Sequence, residues 1–271
     1  MDRKKRCKTK KLDAPRHQFG RSSSIHAAFA DRAELDMALR YTRNTGGYLS
    51  HRVSLVTGDE PIRASLPGLP AGSAPSSICS IAAQAADAIR SGRPHVEPNF
   101  LSGAALQEAR RASEAMLTKQ AADKMATAPP LLRIVAAVEA IRQALADATG
   151  RRLSETGELQ IVLYSPGGSY QRHIDWKPGM AIGNLGRTDV KRSLSLLIYL
   201  TDDDWNPAAD GGALRVYDPK SPASHIDIHP YPGQLVIFDS SSIPHEVLTT
   251  RRARTLLAGW LHEEMTVGSG Q

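Results

Sequence analysis

The apolar residues of this 271-residue chain change their period at Gly150. Before it, Leu131, Ile134, Val135, Val138, Ile141 and Leu145 recur at the three-and-four spacing of one buried helical face. Pro129 and Pro130 open that helix, and Gly150 stands just past its end, where a left-handed stop is favoured. After Gly150 the alternation is two, the signature of strands with one face buried. Candidate strands are Glu158–Tyr164, Tyr170–Asp175, Arg192–Thr201, Ala213–Tyr217, His225–Ile228, Leu235–Asp239, His245–Leu248 and Arg254–Leu261. Turn-forming stretches separate them: Ser165 to Ser169, Asp202 to Gly212, and Pro230 to Gly233. Short strands at this spacing, after helices, predict an α+β chain with a double-sheet β-roll and helices packed outside it.

The front of the chain has a different texture. Residues 1–24 read as a basic disordered tail, and 25–93 as a partly helical extension. Within the extension a weak helical pattern covers Ala28 to Tyr41, carried by Phe29, Leu35, Met37 and Leu39. Residues 58–77, with Pro61, Pro67, Pro70 and Pro75 among Gly, Ser and Ala, read as a linker, and Ile78 to Ile89 as a short helix. The main domain is expected over 94–264. It opens with a strand Val96 to Leu101 and a helix capped by Ser102 and running to about Lys119, and residues 265–271 form a tail.

Charge follows the same division. Residues 1–21 hold nine basic side chains against two acidic ones, so of the net +6 the remaining 250 residues carry −1. Nucleic acid is therefore expected as a partner only through this tail, which otherwise reads as a solvated extension. The two cysteines, Cys7 and Cys79, cannot build a disulfide framework and suggest a reducing compartment. No run is long and apolar enough for a membrane helix, and no secretory signal pattern appears. A cytoplasmic location is expected, or a nuclear one in a eukaryote, with no membrane partner.

Chemistry concentrates in a few residues. In the strand Tyr170 to Asp175, His173 and Asp175 lie two apart and so share a face. A lone His-x-Asp is weak, because ordinary hydrogen bonding accounts for most of them, and this chain repeats the tripeptide at His225 to Asp227. The first copy follows the glycine-rich hairpin Tyr164 to Tyr170, which suits an open mouth above a metal; the second lies in a polar strand. His245, after the apolar strand Leu235 to Phe238 and a polar turn, supplies a third donor, although alone it reads as a strand-end histidine. Two histidines and a carboxylate form the facial set of non-haem Fe(II) oxygenases, and zinc accepts such donors too. Arg254 shares a strand face with Leu256, Ala258 and Trp260. A guanidinium on an apolar-lined face is costly unless a carboxylate meets it: either a keto-acid cosubstrate or a protein partner such as Asp175 or Glu246. Tyr199, in another strand, adds a hydroxyl.

From about Val96 to Glu263 the chain resembles the Fe(II)- and 2-oxoglutarate-dependent dioxygenases, and among them the prolyl 4-hydroxylase family. The motifs fall in family order: Tyr164-x-Pro-Gly-Gly-x-Tyr-x-Arg-His173-x-Asp175, then Arg192 to Tyr199, Asp210-Gly-Gly-Ala-Leu-Arg215, Gly233 to Asp239, His245-Glu-Val and Arg254. An arginine nine residues after the distal histidine is similar to the HIF-type branch and its bacterial relatives, whereas collagen-type enzymes usually carry a lysine near that place.

The resemblance implies a double-stranded β-helix (jelly-roll) core with Fe(2+) held by His173, Asp175 and His245. It assigns His225 to an ordinary strand. It implies that Arg254 and Tyr199 bind the distal carboxylate of 2-oxoglutarate, that Tyr164 lines that pocket, and that Tyr170, Arg192 and Trp260 contact the substrate. Beyond the metal ligands it names no catalytic side chain. It implies O2 as cosubstrate, ascorbate as reductant, and hydroxylation of a peptidyl proline in a protein or peptide with release of succinate and CO2. The stretch Trp176 to Lys191, with Gly179, Gly183 and Gly186, is longer than in the HIF-type enzymes and reads as a mobile loop beside the mouth, which leaves another amino-acid residue, a free amino acid or a small molecule as alternative substrates, while the basic N-terminal tail leaves a nucleic-acid-directed oxygenase. A metal-binding sensor without turnover is a further reading. The Asp202 to Asp204 run reads as a solvated hairpin turn rather than a calcium loop.

Overall fold

The computed structural model describes residues 48–55, 75–117, 129–180, 182 and 189–265. The expected tail, the Ala28 to Tyr41 helix, most of the 58–77 linker and part of the Trp176 to Lys191 loop lie outside these residues. In chain order the elements are β1 (Tyr48–Leu55), α1 (Pro75–Arg90), β2 (His95–Glu97), α2 (Gly103–Leu117), α3 (Pro129–Thr149), β3 (Leu153–Tyr164), β4 (Tyr170–His173) and β5 (Val190–Tyr199). A one-turn helix α4 (Pro207–Asp210) precedes β6 (Leu214–Asp218), β7 (Ser221–Ile228), β8 (Leu235–Asp239), β9 (His245–Val247) and β10 (Arg254–Glu264).

The strands form two sheets. The larger has the order β1-β3-β10-β5-β8-β2 and the smaller β4-β9-β6-β7, with every pairing antiparallel. This is the expected α+β jelly roll. Strand alternation sorts the side chains of the large sheet. Leu194, Leu196 and Ile198 of β5, Leu235 and Ile237 of β8, and Leu257 and Leu261 of β10 join one apolar cluster with the helices. Val162 and Tyr164, Tyr199, Val236 and Phe238, and Leu256 and Ala258 join a second cluster with Leu214, Val216 and Ile228 of the small sheet.

The helices cover the outer face because their sequences supply one apolar stripe each. In α3, Leu131, Ile134, Val138, Ile141 and Leu145 are buried, as the spacing predicts, and Gly150 closes the helix with φ 69° and an N–H bond to Ala146 O. α1 buries Ile78, Ile81, Ala82, Ala85 and Ile89 in the same cluster. It ends at Gly92, with φ 67° and an N–H bond to Ile89 O.

Several boundaries differ from the sequence reading. Residue 94 is not a seam in the packing: α1 belongs to the core and β1 pairs along β3, so elements of the 25–93 extension are built into the main body. The helix of residues 78–89 begins earlier, at Pro75, inside the expected linker; proline suits the first turn, where its missing N–H costs nothing. The expected Val96 to Leu101 strand is only His95–Glu97, because Asn99 takes φ 57° and turns the chain. Leu101 then bonds back to Gly233 O, where a Cβ on Gly233 would stand 1.8 Å from Leu101 O. β3 extends back to Leu153 because β10 continues beside it as far as Glu263. β4 stops at His173, so Asp175 is not on the strand, and something other than the ladder orients it.

Candidate metal and keto-acid site

β4 and β9 pair with His173 opposite His245, which brings two histidines from distant sequence to one rung. Their rings lie 4.3 Å apart, centroid to centroid. Each Nδ1 contacts a backbone carbonyl, His173 that of Gln171 at 2.8 Å and His245 that of Ile243 at 3.0 Å. A carbonyl oxygen only accepts, so each Nδ1 carries the proton and each Nε2 offers a lone pair. Both Nε2 atoms face Asp175 Oδ1, at 3.2 Å from His173 and 3.7 Å from His245. Among the described residues these three side chains form the one group whose donor atoms all lie close enough, within 4.8 Å, to hold one ion.

Electrostatics prepare the set. Burial by itself would raise the Asp175 carboxyl, but His245, His173 and the Ser195 hydroxyl together hold it well below the usual carboxylate range. Burial lowers His245, with His173 acting in the same direction and Asp175 opposing. Asp175 is therefore ionised and His245 neutral at neutral pH, the protonation states metal ligation requires. Phe238 packs edge-on to His245 at 4.8 Å and links the set to the apolar interior.

In that interior lies Arg254, 2% exposed. Register sets it opposite Tyr164 of β3, while Leu256, two residues on, pairs with Tyr199. Its guanidinium carbon stands 4.6 Å from the Tyr164 ring and 5.6 Å from the Tyr199 ring. Among the described residues Arg254 makes no ion pair, and its Nε and Nη1 are buried without a hydrogen-bond partner. Neither protein carboxylate considered as its mate takes it: Asp175 faces the histidines, and Glu246 accepts from the Tyr217 hydroxyl at 2.6 Å. Burial lowers the Arg254 guanidinium, and burial raises the Tyr199 hydroxyl to about 12. A sealed, unpaired guanidinium costs several kcal/mol in effective terms. Its chemistry fits a ligand carboxylate entering beside the metal donors. Gly212 permits this placement: it has φ 71°, and a Cβ there would stand 2.9 Å from Arg254 Nε.

The three expected substrate contacts sit in two places. Tyr170 is partly exposed, its ring 4.6 Å edge-on to His173. Arg192 lies over Trp260, guanidinium carbon to ring centroid 3.8 Å, and donates through Nε to the buried carboxylate Glu158 at 2.7 Å. The sequence reading missed Glu158, although its place in the inner-face series Glu158, Gln160, Val162, Tyr164 was a signal. The second tripeptide is not part of the group. His225 is exposed on β7 and Asp227 is bonded to Arg215 by both carboxylate oxygens at 2.8 Å. The Asp202 to Asp204 run is a turn pinned by cations: Asp202 and Asp204 pair with Arg252, and Asp203 with Arg110.

Comparison with known proteins agrees with this geometry. The family model described as the 2OG-Fe(II) oxygenase superfamily matches residues 159–262. A hypoxia-inducible factor prolyl hydroxylase of Caenorhabditis elegans is 39% identical over 64 residues, a stretch amounting to 23% of this chain and 9% of that protein's length. A crystal structure of a Pseudomonas putida prolyl-4-hydroxylase superposes with TM-score 0.55 and 26% identity, covering 68% of this chain and 95% of that one. A prolyl hydroxylase from Trichoplax adhaerens, solved with a hypoxia-inducible factor peptide fragment, shares the fold with TM-score 0.59 and 17% identity over 69% of this chain and 91% of its own.

Proposed function

We propose, on the match of residues 159–262 to the 2OG-Fe(II) oxygenase superfamily model, that this protein is an Fe(II)- and 2-oxoglutarate-dependent dioxygenase that hydroxylates a prolyl residue of a peptide or protein. The observation that carries the reading is the buried Arg254 guanidinium, whose Nε and Nη1 have no hydrogen-bond partner, in the same interior as the His173, Asp175 and His245 donors. Iron bound with 2-oxoglutarate and O2 supplies the oxidation of the C–H bond, with succinate and CO2 as coproducts.

The chain's own residues supply binding and orientation. His173 and His245 present Nε2, and Asp175 presents Oδ1, all from one side, which leaves the opposite positions for cosubstrates. Arg254 forks onto the distal carboxylate of 2-oxoglutarate. Tyr199, kept protonated by burial, donates its hydroxyl to the same group. Tyr164 closes the pocket against the guanidinium. Val162, Val236, Phe238 and Leu256 exclude water around it and strengthen every polar contact inside. Tyr170 beside His173, and Arg192 over Trp260, would offer two surfaces to the substrate. The proline preference is supported by the 26% identical prolyl-4-hydroxylase and by the aromatic rings of Tyr170 and Trp260 on these surfaces. Ascorbate would be the reductant of such an enzyme. The 94–264 segment carries the oxygenase unit, supported by α1 and β1 from the extension, and the expected location is the cytoplasm.

The test is anaerobic. Fe(II) and 2-oxoglutarate added to the purified protein should produce the visible metal-to-ligand charge-transfer band. Arg254→Ala should lose it at matched 2-oxoglutarate, and His225→Ala should keep it. Proline-containing peptides should then stimulate succinate release and gain 16 mass units, the mass of one added oxygen atom. A protein that binds the metal and shows no band sinks the keto-acid reading. Turnover stimulated by small molecules and not by peptides moves the substrate to another class.

A further inference from the structure

Because Asp175 lies beyond the end of β4, no strand ladder fixes its side chain. What holds it comes from β5 and from the turn that follows β8. On β5, alternation turns Leu194, Leu196 and Ile198 into the helix-side core, and Ser195 to the opposite face with Leu197 and Tyr199. Ser195 is 1% exposed, and at such a place a buried hydroxyl is costly unless it is bonded. An aliphatic residue would fill the position without that cost.

Ser195 is bonded twice. Its Oγ donates to Asp175 Oδ2 at 2.6 Å and lies 2.8 Å from Ser240 Oγ. An ionised carboxylate only accepts, so the Ser195 proton is committed to Asp175 and Ser240 is the donor in the second contact. Ser240 follows β8 and is fully buried. Its carbonyl also accepts the N–H of Trp176, the residue after Asp175, at 3.0 Å. The Ser240–Ser195 relay therefore grips the Asp175 side chain, and Ser240 grips the adjoining backbone. It occupies Oδ2 and leaves Oδ1, the oxygen that both histidine Nε2 atoms face.

We propose that Ser195 and Ser240 are positioning residues that commit Asp175 to ligation through Oδ1 alone. Their relay keeps the carboxylate from swinging to two-oxygen ligation, which would take a position that 2-oxoglutarate or O2 needs. This rests on the reading of His173, Asp175 and His245 as a metal site.

The experiment is anaerobic titration of the full chain with Mn(II), and with Fe(II) plus 2-oxoglutarate, in wild type and in Ser195→Ala, Ser195→Thr and Ser240→Ala. Loss of such an outer partner typically weakens metal binding about 10–100-fold. Ser195→Ala should weaken Mn(II) binding by that factor and shift the energy of the charge-transfer band. Ser195→Thr, which restores the hydroxyl, should recover both. Ser240→Ala should move both readouts in the same direction by less, and it reads the relay independently if Ser195→Ala does not fold. A wild type that binds Mn(II), beside folded serine variants that bind it equally with an unshifted band, overturns the relay and leaves the metal site standing. A wild type that binds no divalent metal overturns the site and the relay together.

Discussion

On the helix-facing side of the large sheet, β5, β8 and β10 present Leu194, Leu196, Ile198, Leu235, Ile237, Leu257 and Leu261. On the opposite side the same strands present Ser195, Tyr199, Phe238, Arg254 and Trp260, residue by alternate residue. Both faces are largely buried, and they differ in what burial does. Outside, burial is the source of stability, because each side chain is apolar and meets apolar neighbours. Inside, burial costs stability at Arg254, where Nε and Nη1 have no partner. It also sharpens the response to a ligand, since a charge in low dielectric gains most when its counter-charge arrives. One strand period thus divides a stabilising face from a receptive one.

The widest break in this comparison is at the metal donors. His173→Ala or Asp175→Ala should cost more metal affinity than the roughly 10–100-fold typical of an outer partner, with turnover lost and the circular-dichroism spectrum kept. His225→Ala, in the other copy of the tripeptide, should leave metal binding and succinate formation at wild-type levels. If His225→Ala abolishes turnover and His173→Ala does not, the ligand set is wrong.

Next comes the outer face. Ile237→Ala or Leu196→Ala should lower the unfolding free energy by about 2–5 kcal/mol in denaturant titrations, through lost burial and a cavity. The folded fraction should bind 2-oxoglutarate as before. A large fall in its affinity would mean that the two faces are not independent.

The inner face should respond with the opposite sign. Arg254→Met should raise the unfolding free energy without 2-oxoglutarate by about 1 kcal/mol or more, because a buried unpaired charge is replaced by a volume-matched apolar chain. The same variant should weaken 2-oxoglutarate binding about 10–100-fold, the worth of a charge-assisted pair. A loss of stability with binding unchanged would give Arg254 a structural role.

The smallest effect belongs to the outer surface of the small sheet. Asp227→Asn removes one partner of the half-exposed pair with Arg215, and such pairs are worth about 0–1 kcal/mol. Thermal melts should barely move, and a shift of many degrees would show that β7 is held by this pair rather than by its ladder with β6.

Much of this was legible in the sequence. The period switch at Gly150, the α3 stripe and most strand positions follow from side-chain alternation, which is a local property. His173, Asp175 and His245, which the structure brings together, were legible through their order along the chain. The strand at Tyr48–Leu55 was not, because its pairing with β3 is a long-range contact that no local pattern announces. Nor was the role of α1, since an amphipathic segment does not say which surface it will cover. Ser195 and Ser240 read as ordinary polar residues; only the fold brings both hydroxyls to the carboxylate that follows β4. Glu158 and Arg192 lie 34 residues apart and meet across β10.

The two His-Ile-Asp tripeptides mark the division. By itself the sequence determined that each can project a histidine and a carboxylate, because composition and short spacing are written into the chain. The tertiary structure decided their fates. It set His173 opposite His245 and left Asp175 beyond its strand under two serines, while Asp227 was given to Arg215 on the outer surface. The physical reason is that ligation and burial depend on which distant atoms come within a few ångströms, and strand pairing chooses those neighbours.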